Sequence, residues 1–145
     1  MNSFPLAAAL LAVPFLLAAG PSAGDLRIDL SNLRNAKGML FLCLSANPKH
    51  FPDCSADPKA KIIRVPARQA KALVFSAVAA GDYALSVMHD ENGNAKLDTT
   101  MSIPREGFGF SRNPTVRFGP PEFSQVRFAT TGASMRLPIK MKYFL

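Results

Sequence analysis

At 145 residues, with 48% apolar and 19% charged residues, the chain is sized for one globular domain and is too apolar to remain disordered. Its 12 prolines and 9 glycines are scattered, which excludes a collagen-like repeat and leaves no heptad for a coiled coil. A formal net charge of +7 favours anionic surroundings, but without tryptophan or a recognisable binding motif, nucleic acid is a poor fit.

No charged side chain precedes Asp25, the run from Phe4 to Ala19 is almost wholly apolar, and Ser22, Ala23 and Gly24 follow as small residues. This reads as a signal peptide over residues 1–24, although its start lacks Lys and Arg. The run is shorter than the roughly 20 residues a membrane-spanning helix needs, so no transmembrane segment is expected once it is removed. The expected location is periplasmic or secreted. There Cys43 and Cys54, the only two cysteines, would pair. Closing that loop of about 12 residues is worth roughly 3 kcal/mol.

From residue 25 onward the apolar side chains alternate with polar ones, the period of a half-buried strand. Leu26, Ile28 and Leu30 begin the pattern, and Met39–Leu44 is apolar throughout, as a strand covered on both faces would be. Leu73, Phe75 and Ala77, then Tyr83, Leu85 and Val87, and finally Met135, Leu137, Ile139, Met141 and Tyr143 repeat it. Turn signals separate these runs, notably Ala80-Gly81-Asp82, Asn92-Gly93-Asn94 and Gly119-Pro120-Pro121. The pattern predicts seven strands near 25–33, 38–46, 60–66, 71–78, 82–90, 114–129 with a break, and 133–144. Residues 67–73 carry some helical propensity, but no helix longer than a turn is expected. Pro138 cannot donate to a ladder and marks the last strand as an edge. The fold class is therefore all-β, a single Ig-like or prealbumin-like antiparallel β-sandwich over residues 25–145.

Asp90 to Asp98 carries the strongest chemical signal. Asp90, Asn92, Asn94 and Asp98 place side-chain oxygens at positions 1, 3, 5 and 9, with the Lys96 carbonyl at 7, as in a calcium loop. Leu97 would then turn toward the core. Ala95 replaces the glycine expected at position 6 and Met101 the closing Glu at position 12, so any calcium would be weak and structural. The competing reading is an Asx-rich turn with no ion.

The stretch 99–121 is rich in Gly and Pro and long for a connection. Arg105, Glu106, Phe108 and Phe110 within it form a candidate ligand loop. Phe108, Phe110, Phe118 and Phe123 are expected to pack this stretch over a sheet end, with the floor of a binding groove as the other reading. Parity puts His89 on the inward face of its strand, as a core histidine beside Asp90. No Gly-x-Ser-x-Gly elbow occurs, and neither thiol has an evident base partner.

Gly81-Asp82-Tyr83-Ala84-Leu85-Ser86-Val87, His89-Asp90-Glu91-Asn92-Gly93-Asn94, Ile103-Pro104-Arg105-Glu106-Gly107-Phe108-Gly109-Phe110-Ser111 and Gly119-Pro120-Pro121 follow in an order that resembles the bacterial family called Domain of Unknown Function 2141. The resemblance implies an exported single-domain protein and supplies no activity. The Gly-x-Tyr-x-Leu-x-Val strand is also similar to prealbumin-like and carboxypeptidase-regulatory-like sandwiches. The Tyr-Arg-Gly-Ser ending of transthyretin-related hydrolases is missing; this chain ends Lys142-Tyr143-Phe144-Leu145.

The expected function is a non-enzymatic exported module that binds a ligand or serves as an envelope-associated structural domain, its partner an anionic envelope component or another envelope protein. The alternative is a small periplasmic hydrolase or isomerase with a pocket under residues 99–121. That alternative requires His89, Asp90, Arg105 and Glu106 to meet in one cleft.

Overall fold

The computed structural model describes residues 19–145, so most of the expected signal peptide lies outside the described residues. Ten strands follow: β1 (Ala23–Ser31), β2 (Met39–Ser45), β3 (Lys61–Pro66), β4 (Val74–Ala79), β5 (Gly81–Asp90), β6 (Thr99–Thr100), β7 (Ile103–Pro104), β8 (Gly107–Phe110), β9 (Phe128–Thr130) and β10 (Met135–Lys140). One sheet runs β10-β1-β4 and a second β3-β2-β5-β8, with β9 added beside the start of β5. The chain is an all-β sandwich. Every strand pair is antiparallel except β1–β10, which runs parallel with Leu26 opposite Met135 and Leu30 opposite Ile139.

The alternation read from the sequence becomes the core between the two sheets. Leu26, Ile28, Phe75, Leu137 and Ile139 from the first sheet bury against Leu40, Leu42, Leu44, Leu85 and Val87 from the second. Ala67, the first residue of the 3-10 segment Ala67–Ala72, and Leu73, which follows it, close one side; at six residues the segment makes about two turns, longer than the single turn expected. In β4 the period of two breaks at Ala77, which takes a positive φ of 53° and is exposed, and Val78 then re-enters the core. The pairing of β4 with β1 shifts register between Gly24 and Leu26, as a bulge does. β1 also begins at Ala23, so the paired strand reaches back across the expected signal-peptide boundary.

Two expectations need correction. Residues 114–129 form no long strand: they give the one-turn helix α1 (Phe123–Val126) and then β9. The missing strand lies earlier, as β8, inside the stretch expected to be loop. Alternate glycines lower strand propensity and hid it. Their purpose is close approach, because a Cβ on Gly107 would strike the Tyr143 ring and one on Gly109 would lie 2.8 Å from Ile139 Cγ2. Glycine thus lets β8 press against the end of β10, where Phe108 and Lys142 exchange backbone hydrogen bonds of 3.0 and 2.8 Å.

β10 is an edge strand, as Pro138 implied. Its free side is covered by Asn113, whose Nδ2 donates to the Pro138 carbonyl and whose Oδ1 accepts from the Lys140 amide. Cys43 on β2 and Cys54 form a disulfide with Cα atoms 5.9 Å apart, inside the usual range. Among the described residues no helix is long and apolar enough to cross a membrane.

Candidate functional site

Two depressions flank the end of β5, one polar and one apolar. The polar one begins at Asp90, the last residue of β5, which is completely buried. Its carboxylate accepts from the backbone amides of Gly93, Asn94 and Ala95 at 2.8, 3.2 and 2.7 Å. Ala95 adopts φ 61°, the left-handed conformation expected for the glycine of a calcium loop, at a local cost of about 1 kcal/mol. Asn92 and Asn94 donate their side-chain amides to Asp98, and these bonds hold the Asp98 carboxyl below the usual range. Glu106, also buried, spans the loop by accepting from the amides of Glu91 and Asp98.

The five residues expected around calcium are therefore wound together, but the side-chain oxygens of Asp90, Asn92, Asn94 and Asp98 are engaged by the loop's own donors. Met101 points into solvent, and Lys96 is exposed. Among the described residues no group of three His, Cys, Asp or Glu side chains converges to hold a metal ion. Leu97 does not turn into the core as expected: it stays 38% exposed, because the loop is anchored through Asp90 and Glu106 instead.

Beside this loop lies a cleft of about 220 Å³ lined by Arg34, Glu91, Asn92, Asp98, Arg105 and Glu106. Arg34 donates to Glu91 Oε1 through Nε and Nη2 at 2.9 and 2.5 Å, and to the carbonyls of Arg105 and Leu145. Its guanidinium lies 4.5 Å from the Tyr143 ring centroid. Burial works against ionisation of Glu91, but hydrogen bonds from Arg34 and Asn35 outweigh it and leave the carboxyl below its ordinary range. Burial, with Glu91 nearby, pushes the Tyr143 hydroxyl up.

His89 is fully buried behind this cluster, as its parity implied. Its Nε2 must donate to the Lys37 carbonyl at 2.8 Å, and in the neutral ring Nδ1 then accepts from the Tyr143 hydroxyl at 2.8 Å. The hydrolase alternative needed four residues in one cleft. Arg105 and Glu106 line it, while His89 and Asp90 are buried and face other partners. Arg34, Glu91 and Tyr143, which build the cluster, escaped the sequence reading because they come from three distant parts of the chain.

The apolar depression lies on the outer face of the β3-β2-β5-β8 sheet. Alternate residues that point away from the core supply its floor: Phe41, Ser86, Met88, Phe108 and Phe110, with the Cys43–Cys54 bridge. Phe51, Phe123 and Val126 cover one end of this face, packing against Phe108, Phe110 and Ala84. The remainder is a groove of about 1330 Å³, walled by residues 95–97, 99, 101–104 and 116–120 and by the C-terminal Phe144 and Leu145. Of the four phenylalanines expected to pack the 99–121 stretch, Phe108, Phe110 and Phe123 do so. Phe118 stays in solvent, since α1 and Phe51 already fill the covered end. Arg64 lies over the floor, 5.6 Å from the Phe41 centroid, and Lys96 and Arg117 stand on the rim.

Residues 28–137 match the sequence family described as an uncharacterized protein conserved in bacteria, DUF2141. No curated protein and no solved structure matches the chain.

Proposed function

We propose that this chain, which belongs to the DUF2141 family of bacterial proteins, is a non-enzymatic binding module whose groove takes a long-chain acyl amphiphile with an anionic end. The observation that carries the reading is the outer sheet face itself, where Phe41, Met88, Phe108 and Phe110 floor an open groove of about 1330 Å³. A volume above the roughly 300–1,000 Å³ of drug-sized sites suits an extended chain better than a compact metabolite. Arg64, Lys96 and Arg117 oppose only Asp53 among the charged side chains lining the groove, so an anionic end is matched in charge. Among the described residues the lining includes no histidine and its cysteines are bridged, which favours binding over hydrolysis. The disulfide supports function outside the reducing cytosol, with an anionic envelope component as partner.

Titration with cis-parinaric acid, followed by its fluorescence, tests the groove. Saturable binding is expected, weakened at least about tenfold, or 1.4 kcal/mol, by Met88→Glu in the middle of the floor. Absence of saturable binding by a folded wild-type protein overturns the reading.

A second reading keeps weak structural calcium at Asp90, Asn92, Asn94, Lys96 and Asp98, favoured by one observation. Ala95 holds the winding of a calcium loop in spite of its side chain, with its amide bonded to Asp90. Millimolar calcium should then raise the unfolding midpoint relative to chelator, and Asp98→Ala should abolish the difference. An identical midpoint in both conditions removes the ion.

A further inference from the structure

Two loop tips at the mouth of the groove expose large apolar side chains that none of the described residues covers. Met101 is 92% exposed and Phe118 95% exposed, and both border the same groove. Met101 and Ser102 form the tip of the β6–β7 hairpin with φ of 51° and 66°, a two-residue turn that ordinarily selects Asn-Gly. A methionine there is both conformationally strained and left in water, two costs that a partner would offset. Leu97, Ile103 and Phe144, each partly exposed, extend the apolar rim between the tips.

The charged side chains lining the groove are three cations, Arg64, Lys96 and Arg117, against Asp53. Lys96 and Arg117 flank the tips, and neither takes part in the ion pairs among the described residues, which are Arg34–Glu91, Arg127–Asp82 and Arg136–Asp29. The segment 112–120 contains no acidic residue, and Asp98, held ionised by the amides of Asn94 and Asn92, lines the polar cleft rather than the groove. A rigid protein surface gains little from single side chains protruding on separate loops, since a stable interface needs a packed central patch with a polar rim. A fluid anionic interface suits them. There a flexible methionine and a phenylalanine sink among acyl chains while lysine and arginine sit among headgroups.

We propose that the mouth of the groove docks on an anionic lipid bilayer, with Met101 and Phe118 inserted and Lys96 and Arg117 at the headgroup level. The docking rests on the loop tips and stands independently of the ligand reading, which rests on the floor. If both hold, the bilayer is the source from which the groove draws its acyl ligand.

Co-sedimentation with phosphatidylcholine vesicles, pure or containing about one-third phosphatidylglycerol, tests it. Residues 19–145 should pellet with the mixed vesicles, remain in the supernatant with the pure ones, and be released as salt rises. The double variant Met101→Ser with Phe118→Ser should lose about tenfold or more in apparent affinity, as should Lys96→Glu with Arg117→Glu. Because all four side chains are exposed, an unchanged unfolding midpoint confirms that the variants fold. Met88→Glu should retain vesicle binding while losing cis-parinaric acid, so the two proposals fail separately. Wild-type protein that stays in the supernatant with both vesicles overturns the docking, and so does a double-serine variant that binds as the wild type does. A concentration-dependent dimer that Phe118→Ser abolishes, without vesicle binding, would assign the tips to a second copy and also overturn it.

Discussion

The two faces of the β3-β2-β5-β8 sheet share strands and composition but not fate. On β5, Leu85, Val87 and His89 point to the other sheet and are sealed from water, whereas Ser86 and Met88 point outward and remain half-buried under the groove. The inner face meets a second sheet made of continuous strands. The outer face meets a disulfide-tied loop, one turn of helix and two loop tips, which cover one end and leave the rest open. Apolar residues on a strand therefore report a surface that wants covering, and the covering need not come from the same chain.

Leu85→Ala should break the inner face hardest, costing about 3–4 kcal/mol in urea unfolding, since the residue is completely buried among aliphatic side chains. Met88→Ala, three residues on, should cost under about 1 kcal/mol. Equal losses would mean that the outer face is packed as tightly as the inner one.

Reduction of Cys43–Cys54 should come next, lowering stability by roughly 3 kcal/mol. It should also loosen the 51–54 segment, which is joined to β5 by the Ser86 Oγ bond to the Pro52 carbonyl. Weaker cis-parinaric acid binding after reduction, at a temperature where the protein stays folded, is the expected readout.

Acid should then act on the polar cluster and spare the groove. Glu91 binds its proton less readily folded than unfolded, so its stabilising effect is complete above its ordinary value of 4.5 and is lost as pH falls through the depressed folded value. Wild-type stability should decline over that window by about 1 kcal/mol more than that of Glu91→Gln, the Arg34 partner being partly exposed. Parallel pH curves for the two proteins would show that the pair contributes nothing. The smallest effect is expected from Phe118→Ser, within about 0.5 kcal/mol, because the ring touches little in the isolated protein.

Much of this was legible in the residues. Alternation located β1, β5 and β10, an unbroken apolar run located β2, Pro138 placed β10 at an edge, the parity of β5 buried His89, and the two cysteines paired. The β8 strand was not legible, because Gly107 and Gly109 make room for neighbours 30 or more residues further along the chain, the Tyr143 ring and Ile139. Nor was the Arg34–Glu91–Tyr143 cluster, whose members are brought together by strand pairing.

By itself, then, the sequence determined most of the long extended segments, the inward side chains of β1, β5 and β10, and that two thiols lie close enough along the chain to close a short loop. These follow from periodicity and local chain length. Only the tertiary structure decided that the outward apolar residues of one sheet form a groove, that Asp90 and Glu106 spend their oxygens on the loop around them, and that Met101 and Phe118 stand at one mouth. Those outcomes depend on which strands become neighbours, and pairing between distant segments is set by global packing that no local pattern encodes.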